Sequence, residues 1–184
     1  DQAAAFTDGL PRSVGSTGEP HPRGAMSLAN VGYASTLTWA NPLLDDLAQQ
    51  ALVPMFGEEP VELGMAGREE ELFARLEADP RYRRMFREAF PERAEKIDLV
   101  TITQAIGTFQ RTLISGNSPL DRWALGIDDD AISASAIRGI DLFFTEQLEC
   151  FHCHGGFNFS DSITHAGTPF VEAAFHNNEL YNLK

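Results

Sequence analysis

The sequence predicts an all-α protein. Apolar residues recur at three- and four-residue steps in successive stretches of the chain, which is typical of helices with one buried face. Proline, glycine and asparagine lie where these stretches end. No stretch alternates apolar and polar residues for long enough to predict a sheet. With 184 residues, the chain can bury a core as one domain or as two small ones.

The first 25 residues predict a long loop, because turn-forming glycine, proline and serine are frequent in them. Loops of this length usually wrap a ligand or are mobile. The first helix is predicted to follow Asn41 and Pro42 and to stop at Pro54. Its apolar face carries Leu43, Leu44, Leu47, Ala51 and Leu52. Residues 60–64 predict a short irregular segment.

Two further helices are predicted over 68–78 and 81–90, each ending at a proline. The clearest helix begins at Asp98, a good N-cap, because apolar residues follow it at helical spacing. It is predicted to close at Gly116 and Asn117, which are typical of helix C-termini.

The last predicted helix begins at the N-cap Ser133 and runs to Leu148, so that it leads the chain directly to Cys150. Residues 116–130 have the weakest apolar pattern and are the predicted boundary between two helical units. Trp123 in this stretch is interpreted as a packing residue.

The composition argues against two classes of partner. Lysine and arginine number 14 against 27 aspartates and glutamates, which gives a formal net charge of −13. Such a surface argues against binding to nucleic acid or to an anionic membrane. No apolar run approaches the roughly 20 residues that a membrane-spanning helix needs.

The most informative motif is Cys-x-x-Cys-His, formed by Cys150, Cys153 and His154. This spacing is the attachment signature of a c-type haem, because two thiols on one helical turn can bond the porphyrin while the next histidine binds the iron. A zinc site that also used His152, or a disulfide, is the alternative. Structural zinc usually takes ligands from two separated pairs, and a disulfide leaves His154 unexplained. Haem c is therefore predicted, with His154 as the iron ligand and His152 facing solvent.

Several segments resemble a known family when they are taken in order around this motif. They are 6–9 (Phe-Thr-Asp-Gly), 27–30 (Ser-Leu-Ala-Asn), Trp39, Gln50, 60–64 (Pro-Val-Glu-Leu-Gly), 111–122 and 175–180. Together they resemble the bacterial di-haem cytochrome c peroxidase and MauG superfamily over essentially the whole chain. Within this superfamily, the sequence of residues 20–33 most resembles that of MauG-like enzymes of methanobactin-type operons.

The resemblance implies two small cytochrome c-like helical domains with long haem-wrapping loops, each carrying a haem c. Residues 1–117 would be the remainder of the N-terminal, peroxidatic domain, and residues 118–184 the start of the C-terminal, electron-transfer domain. The first attachment motif is expected just upstream of the chain and the distal ligand of the second haem beyond its end. Covalent haem attachment implies the periplasm, with a leader sequence upstream.

The resemblance also implies catalytic roles for Glu62, Gln50 and Trp39. The glutamate would move protons during peroxide cleavage, the glutamine would hydrogen-bond peroxide or water, and the tryptophan would lie between the two haems. Taken without the resemblance, Glu62 is one surface carboxylate beside Glu58 and Glu59. Gln50 is equally an exposed helix residue, and Trp39 a core residue.

The resemblance also bears on the other histidines and on a calcium ion. Gated peroxidases of the family carry a blocking histidine at the position that aligns with Ser16, not with His21, and this favours an always-open site. His165 and His176 are expected to hydrogen-bond haem propionates or backbone. A calcium ion between the haems is implied, although Gly24 occupies the position of one asparagine ligand, so its side-chain ligands are not assigned.

These expectations lead to a periplasmic di-haem enzyme that uses hydrogen peroxide to oxidise a protein partner, with tryptophan as a candidate target. The enzyme alternative is a cytochrome c peroxidase that takes electrons from a small cytochrome. The other alternative is a mono-haem electron carrier, which predicts no second attachment motif upstream.

Overall fold

The structure is a computed structural model that describes residues 2–93, 96–168, 170 and 175–177. Within these residues the regular secondary structure is helical, and β-pairing is limited to isolated bridges. The all-α prediction is confirmed. The α-helices are α1 (Leu47–Phe56), α2 (Glu69–Ala78), α3 (Pro80–Ala89), α4 (Leu99–Arg111), α5 (Pro119–Ala124), α6 (Ala134–Phe143) and α7 (Phe151–His154).

The chain divides into two compact units. Unit 1 comprises Asp1–Gly32 and Leu37–Leu113, and unit 2 comprises Tyr33–Thr36 and Ile114–Lys184. The predicted ranges 1–117 and 118–184 differ from these units at 33–36 and 114–117. The assignment of one haem to each range stays a prediction.

Unit 1 contains α1–α4 and a small apolar core. Met55, Phe86, Ile97 and Ile102 form its buried cluster. Helix α1 packs on α4, and Gly107 of α4 makes this approach possible, since a Cβ there would lie 3.2 Å from the Cβ of Leu47. The helices predicted over 68–78 and 81–90 correspond closely to α2 and α3.

Helix α1 differs from its prediction at both ends. It begins after Asp46, whose carboxylate accepts the backbone N–H of Gln49 at 2.9 Å, while Leu43 is 81% exposed and lies outside the helix. The prediction that the helix stops at Pro54 was wrong. The chain continues to Phe56 because the Gly57 N–H still donates to the Val53 carbonyl at 2.8 Å, across the proline. Pro54 itself cannot donate to the Gln50 carbonyl, but the bond from Gly57 keeps the chain helical on both sides of it.

Helix α4 begins where predicted, at the N-cap Asp98, but ends at Arg111 instead of reaching 116. The Thr112 hydroxyl donates to the Phe109 carbonyl at 2.7 Å. The Leu113 carbonyl accepts the Asn30 N–H at 2.8 Å. The backbone after α4 therefore pairs with a distant loop, and a sequence pattern read locally does not show this.

In unit 2, the stretch 116–130 contains regular structure although its apolar pattern is weak. It contains α5, whose N-cap Ser118 forms a reciprocal capping box with Asp121. Arg122 pairs with Asp128 at 2.7 Å, and Trp123 is half-buried. Capping and an ion pair thus organise a segment that has little apolar periodicity.

Helix α6 begins after the N-cap Ser133, as predicted, but ends at Phe143 instead of Leu148. The Thr145 hydroxyl donates to the Leu142 carbonyl at 2.7 Å, and Glu149 has a positive φ of 53°. Both features belong to a turn, so a separate turn precedes α7. Among the described residues, no helix has the length and apolar character to cross a membrane.

The N-cap of α4 gives a testable prediction about stability. The Thr101 amide, assisted by Arg93, holds the pKa of Asp98 below its ordinary value of 3.8. Because the folded-state pKa is depressed, this stabilisation is present above the ordinary value and is lost as the pH falls through the folded-state pKa. We expect Asp98→Ala to lower the free energy of unfolding by about 1–2 kcal/mol at neutral pH.

Denaturant unfolding of the haem-loaded protein over a pH series measures this effect. The difference between wild type and Asp98→Ala should shrink below about pH 4. Asp129→Ala, which removes an exposed carboxylate after α5, is the control and should change stability little. A deficit of Asp98→Ala that is equally large in acid would contradict the capping explanation.

Candidate functional site

Helix α7 carries the predicted haem-attachment residues on a single turn. Cys150 is its N-cap and His154 its last residue, and the His154 N–H donates to the Cys150 carbonyl at 2.9 Å. Both cysteines are free and half-buried, so the disulfide alternative is not formed. Two thiols and the following imidazole therefore lie on one turn, as thioether attachment requires.

His154 is held in the tautomer that an iron ligand needs. Its Nδ1 lies 3.1 Å from the Phe159 carbonyl oxygen. A carbonyl can only accept, so Nδ1 carries the hydrogen and Nε2 keeps its lone pair. A histidine that binds metal through one nitrogen and donates from the other is the usual arrangement.

An apolar, aromatic surface surrounds this imidazole. The Phe143 ring centroid lies 6.4 Å from that of His154 and 5.9 Å from that of Phe159. Phe144 and Phe159 are 47% and 42% exposed, although aromatic side chains normally bury most of their surface. Free thiols, an available Nε2 and exposed aromatic rings fit a porphyrin attached at α7.

The zinc alternative lacks a gathered ligand set. His152 contacts Glu146 at 3.4 Å and stacks on Phe151. In the described part of the chain, the donors that converge as a set of three or more are Glu146, Glu149 and His152, which include neither cysteine. His152 is exposed, as predicted.

The chain after α7 folds back on it. The Asp161 N–H donates to the Cys153 carbonyl at 3.2 Å, and the Asp161 carboxylate pairs with His176 Nε2 at 2.5 Å. His165 accepts the Gly167 N–H on Nδ1 at 3.0 Å. The backbone contact expected for His165 is present, whereas His176 contacts a side-chain carboxylate instead of backbone.

A distant segment also supports this site, and sequence reasoning missed it. Tyr33–Thr36 pairs with the strand-like stretch after the motif: Ser35 N–H donates to Ser162 O at 3.0 Å and Thr164 N–H donates to Tyr33 O at 2.7 Å. The Tyr33 ring packs edge-on against Phe157 at 5.0 Å. These four residues therefore belong with the haem-attachment segment, although more than 100 positions separate them in sequence.

In unit 1, the backbone beside Glu62 is fixed to α1, the helix that carries Gln50. Leu63 N–H donates to the Pro54 carbonyl at 2.9 Å. Both candidate side chains are half-buried, and Gln50 precedes Pro54 by one helical turn. Gln50 thus lies on α1 and the residue after Glu62 is hydrogen-bonded to α1. The catalytic roles of both residues stay predictions.

Trp39 is not a core residue. It is 49% exposed, its Nε1–H donates to the Gly24 carbonyl at 3.0 Å, and the Arg23 guanidinium lies 5.9 Å from the ring centroid. Gly24 itself has no space for a side chain, because a Cβ there would lie 2.6 Å from the Leu10 carbonyl oxygen. An asparagine at this position would therefore clash with the Leu10 backbone, and calcium binding stays a prediction.

Unit 1 also contains an apolar cavity of about 490 Å³, which the sequence did not predict. Residues of all four helices α1–α4 line it, among them Met55, Phe86 and Ile102, together with Leu63 beside Glu62. Phe109 on its wall is 62% exposed. The apolar face of α4 was the available signal, but periodicity alone does not distinguish a packed face from a cavity wall.

The family described as "Di-haem cytochrome c peroxidase" matches residues 1–129. The chain belongs to this family. The match covers both candidate residues on or beside α1, and the attachment motif lies downstream of it.

Relatives and a solved structure agree with this membership. Methylamine utilization protein MauG of Methylorubrum extorquens is 38% identical over 160 residues, which are 87% of this chain and 43% of that protein. Cytochrome c peroxidase Ccp of Escherichia coli is 33% identical over 153 residues, 83% of this chain and 31% of that protein. A crystal structure of a MauG-like protein associated with microbial copper homeostasis superposes with a TM-score of 0.91 at 45% identity, over 98% of this chain and 51% of that one.

The predicted resemblance is therefore confirmed, and with it haem c-type chemistry. The chain spans less than half the length of the MauG and Ccp relatives.

Proposed function

We propose that this chain is part of a periplasmic di-haem enzyme that uses hydrogen peroxide to oxidise a protein partner, with a tryptophan side chain as the target. The observation that carries the proposal is the turn of α7, where two free thiols accompany a histidine whose Nδ1–H is engaged by Phe159. When bound, haem supplies the redox chemistry toward peroxide. Membership in a di-haem family argues against the mono-haem carrier.

The chain's own residues would divide the remaining tasks. The Glu62 carboxylate would take a proton from bound peroxide and return it to the departing oxygen. The Gln50 amide would orient peroxide or water by hydrogen bonding. Trp39 would supply an oxidisable ring between the haems, with its N–H held by the Gly24 carbonyl. In unit 2, His154 would bind the second iron through Nε2 and Cys150 with Cys153 would attach its porphyrin.

An always-open peroxide site supports the MauG-like reaction over the gated peroxidase reaction. The position that aligns with the blocking histidine carries Ser16, whose N–H donates to the Glu62 carbonyl at 2.7 Å. A serine cannot act as a strong iron ligand in place of an imidazole. The identities to MauG and to the MauG-like structure point the same way. The calcium ion that the family resemblance implies remains part of this proposal without assigned side-chain ligands.

Addition of stoichiometric hydrogen peroxide to the full-length, diferric, haem-loaded protein tests the proposal. We expect immediate loss of ferric Soret intensity without prior reduction, because no histidine is available at position 16 to block the site. The oxidised species should be long-lived and should decay faster when a partner protein is added. Optical spectroscopy follows both steps.

The competing reaction predicts a different order of events. A cytochrome c peroxidase that takes electrons from a small cytochrome would be unreactive until one haem is reduced. A diferric protein that ignores peroxide, but reacts after partial reduction, would therefore replace the MauG-like proposal with the gated peroxidase.

A further inference from the structure

Among the glycines of unit 1, Gly15 comes closest to the backbone of another segment. A Cβ built at this glycine would overlap the carbonyl oxygen of Val61 and would lie 3.0 Å from its carbonyl carbon. The neighbouring atoms are main-chain atoms, so a larger residue cannot be accommodated by a side-chain rotation. The residue that follows Val61 is Glu62, the candidate proton carrier.

The next residue bonds directly to Glu62. Ser16 N–H donates to the Glu62 carbonyl at 2.7 Å. On the far side of Glu62, a Cβ at Gly64 would lie 3.0 Å from the Ser16 Oγ, and Gly64 has a positive φ of 65°. Residues 15 and 16 therefore lie against the backbone on both sides of this glutamate.

The loop that makes these contacts is internally bonded. We call residues 13–23 the hairpin loop, because Val14 bridges Pro20 and Gly15 N–H donates to Glu19 O at 2.9 Å. His21 N–H donates to Ser13 O at 2.7 Å. These internal bonds hold the hairpin loop together where it contacts the Glu62 backbone.

Helix α1 holds the same segment from another direction. Leu63 N–H donates to the Pro54 carbonyl at 2.9 Å, and Met65 N–H donates to the Met55 carbonyl at 3.0 Å. The backbone at Glu62 is therefore bonded to α1 through the residues after it and to the hairpin loop through its own carbonyl. Its half-buried side chain is left available for chemistry.

We propose that Gly15 is a positioning residue for Glu62: its lack of a side chain lets the hairpin loop dock on the Glu62 backbone and fix the direction of the carboxylate. This inference rests on the proposed function of Glu62. Any side chain at position 15 would force the hairpin loop away from Val61 and break the bond from Ser16. A displacement of about 1 Å at a reacting group can cost about 100-fold in rate.

The first test measures docking and does not depend on activity. Hydrogen–deuterium exchange of the full-length, haem-loaded protein is compared for wild type, Gly15→Ala and the matched control Gly116→Ala, whose added Cβ would meet nothing within 4 Å. We expect faster exchange in residues 13–23 and 58–65 for Gly15→Ala only. Wild-type exchange in Gly15→Ala would overturn the proposal.

The second test asks whether Gly15 acts through Glu62. The rate of the optical change after peroxide addition is measured for Gly15→Ala, Glu62→Gln and the double variant. We expect Gly15→Ala to lower the rate by about 10- to 100-fold. The double variant should react at the rate of Glu62→Gln, because displacing residue 62 has no further effect once its carboxylate has been removed. Additive losses would overturn the positioning role.

Two further outcomes keep the inferences separate. If Glu62→Gln reacts at the wild-type rate, the role of Glu62 in the proposed function fails, and exchange alone decides whether the hairpin loop docks as proposed. If Gly15→Ala yields no haem-loaded protein, Ser16→Pro replaces it, because proline removes the N–H that bonds the Glu62 carbonyl. The same exchange and rate comparisons then apply to Ser16→Pro.

Discussion

Replacing His154 by alanine is expected to lower the haem content or the ligation state of unit 2 drastically, whereas replacing His152 by alanine should leave both unchanged. The two histidines lie two positions apart in one motif, yet their surroundings differ. His154 donates from Nδ1 to Phe159 and keeps Nε2 free, while His152 stacks on Phe151 and contacts Glu146 at 3.4 Å. Only His154 is prepared to bind iron.

The expected loss for His154→Ala is about tenfold or more in correctly ligated haem, because removal of even an outer partner of a metal ligand costs about 10- to 100-fold. Haem per chain and the reduced optical spectrum of the full-length protein measure it. His152→Ala is the matched control within the same turn. Equal losses in both variants would mean that any change in the motif disturbs attachment, and they would contradict the specific role of His154.

The parts of the fold that the sequence predicted depend on interactions within a few residues. Asp98 and Ser133 begin helices because each side chain accepts a backbone N–H three residues ahead. The haem-attachment turn is likewise local, since Cys150, Cys153 and His154 all lie within residues 150–154. Local patterns of this kind are visible before any tertiary structure is known.

Two features of the fold that the sequence did not predict depend on tertiary contacts. Helix α4 ends before residue 116, and the backbone that follows it bonds to Asn30. Tyr33–Thr36 pairs with Ser162 and Thr164 across the sequence. No periodicity in either segment indicates such a partner.

The candidate site follows the same division. The ligand His154 was predictable from its motif, but its tautomer depends on the Phe159 carbonyl. Glu62 was predictable only by resemblance, because neighbouring glutamates make it look ordinary in sequence. Its distinguishing feature is structural: its backbone carbonyl accepts the Ser16 N–H and its neighbour Leu63 is bonded to Pro54.

The variant Glu62→Gln tests whether the Glu62 carboxylate takes part in the reaction with hydrogen peroxide. The amide has nearly the same shape as the carboxylate but cannot accept and return a proton, so backbone contacts to Ser16 and α1 should persist. We expect the rate of the reaction with hydrogen peroxide to fall by about 100-fold or more, the usual contribution of a positioned acid–base group. Stopped-flow optical measurements on the full-length, haem-loaded protein give this rate.

Glu59→Gln is the matched control, since Glu59 is an exposed carboxylate of the same segment and the substitution removes the same charge. It should retain a rate within about twofold of wild type, because surface charges in water act weakly on their neighbours. Equal losses in the two variants would indicate that the charge of the segment attracts or orients a partner and that the position of Glu62 is not special. A large loss confined to Glu62→Gln would instead assign proton transfer to Glu62, whose backbone carbonyl accepts the Ser16 N–H.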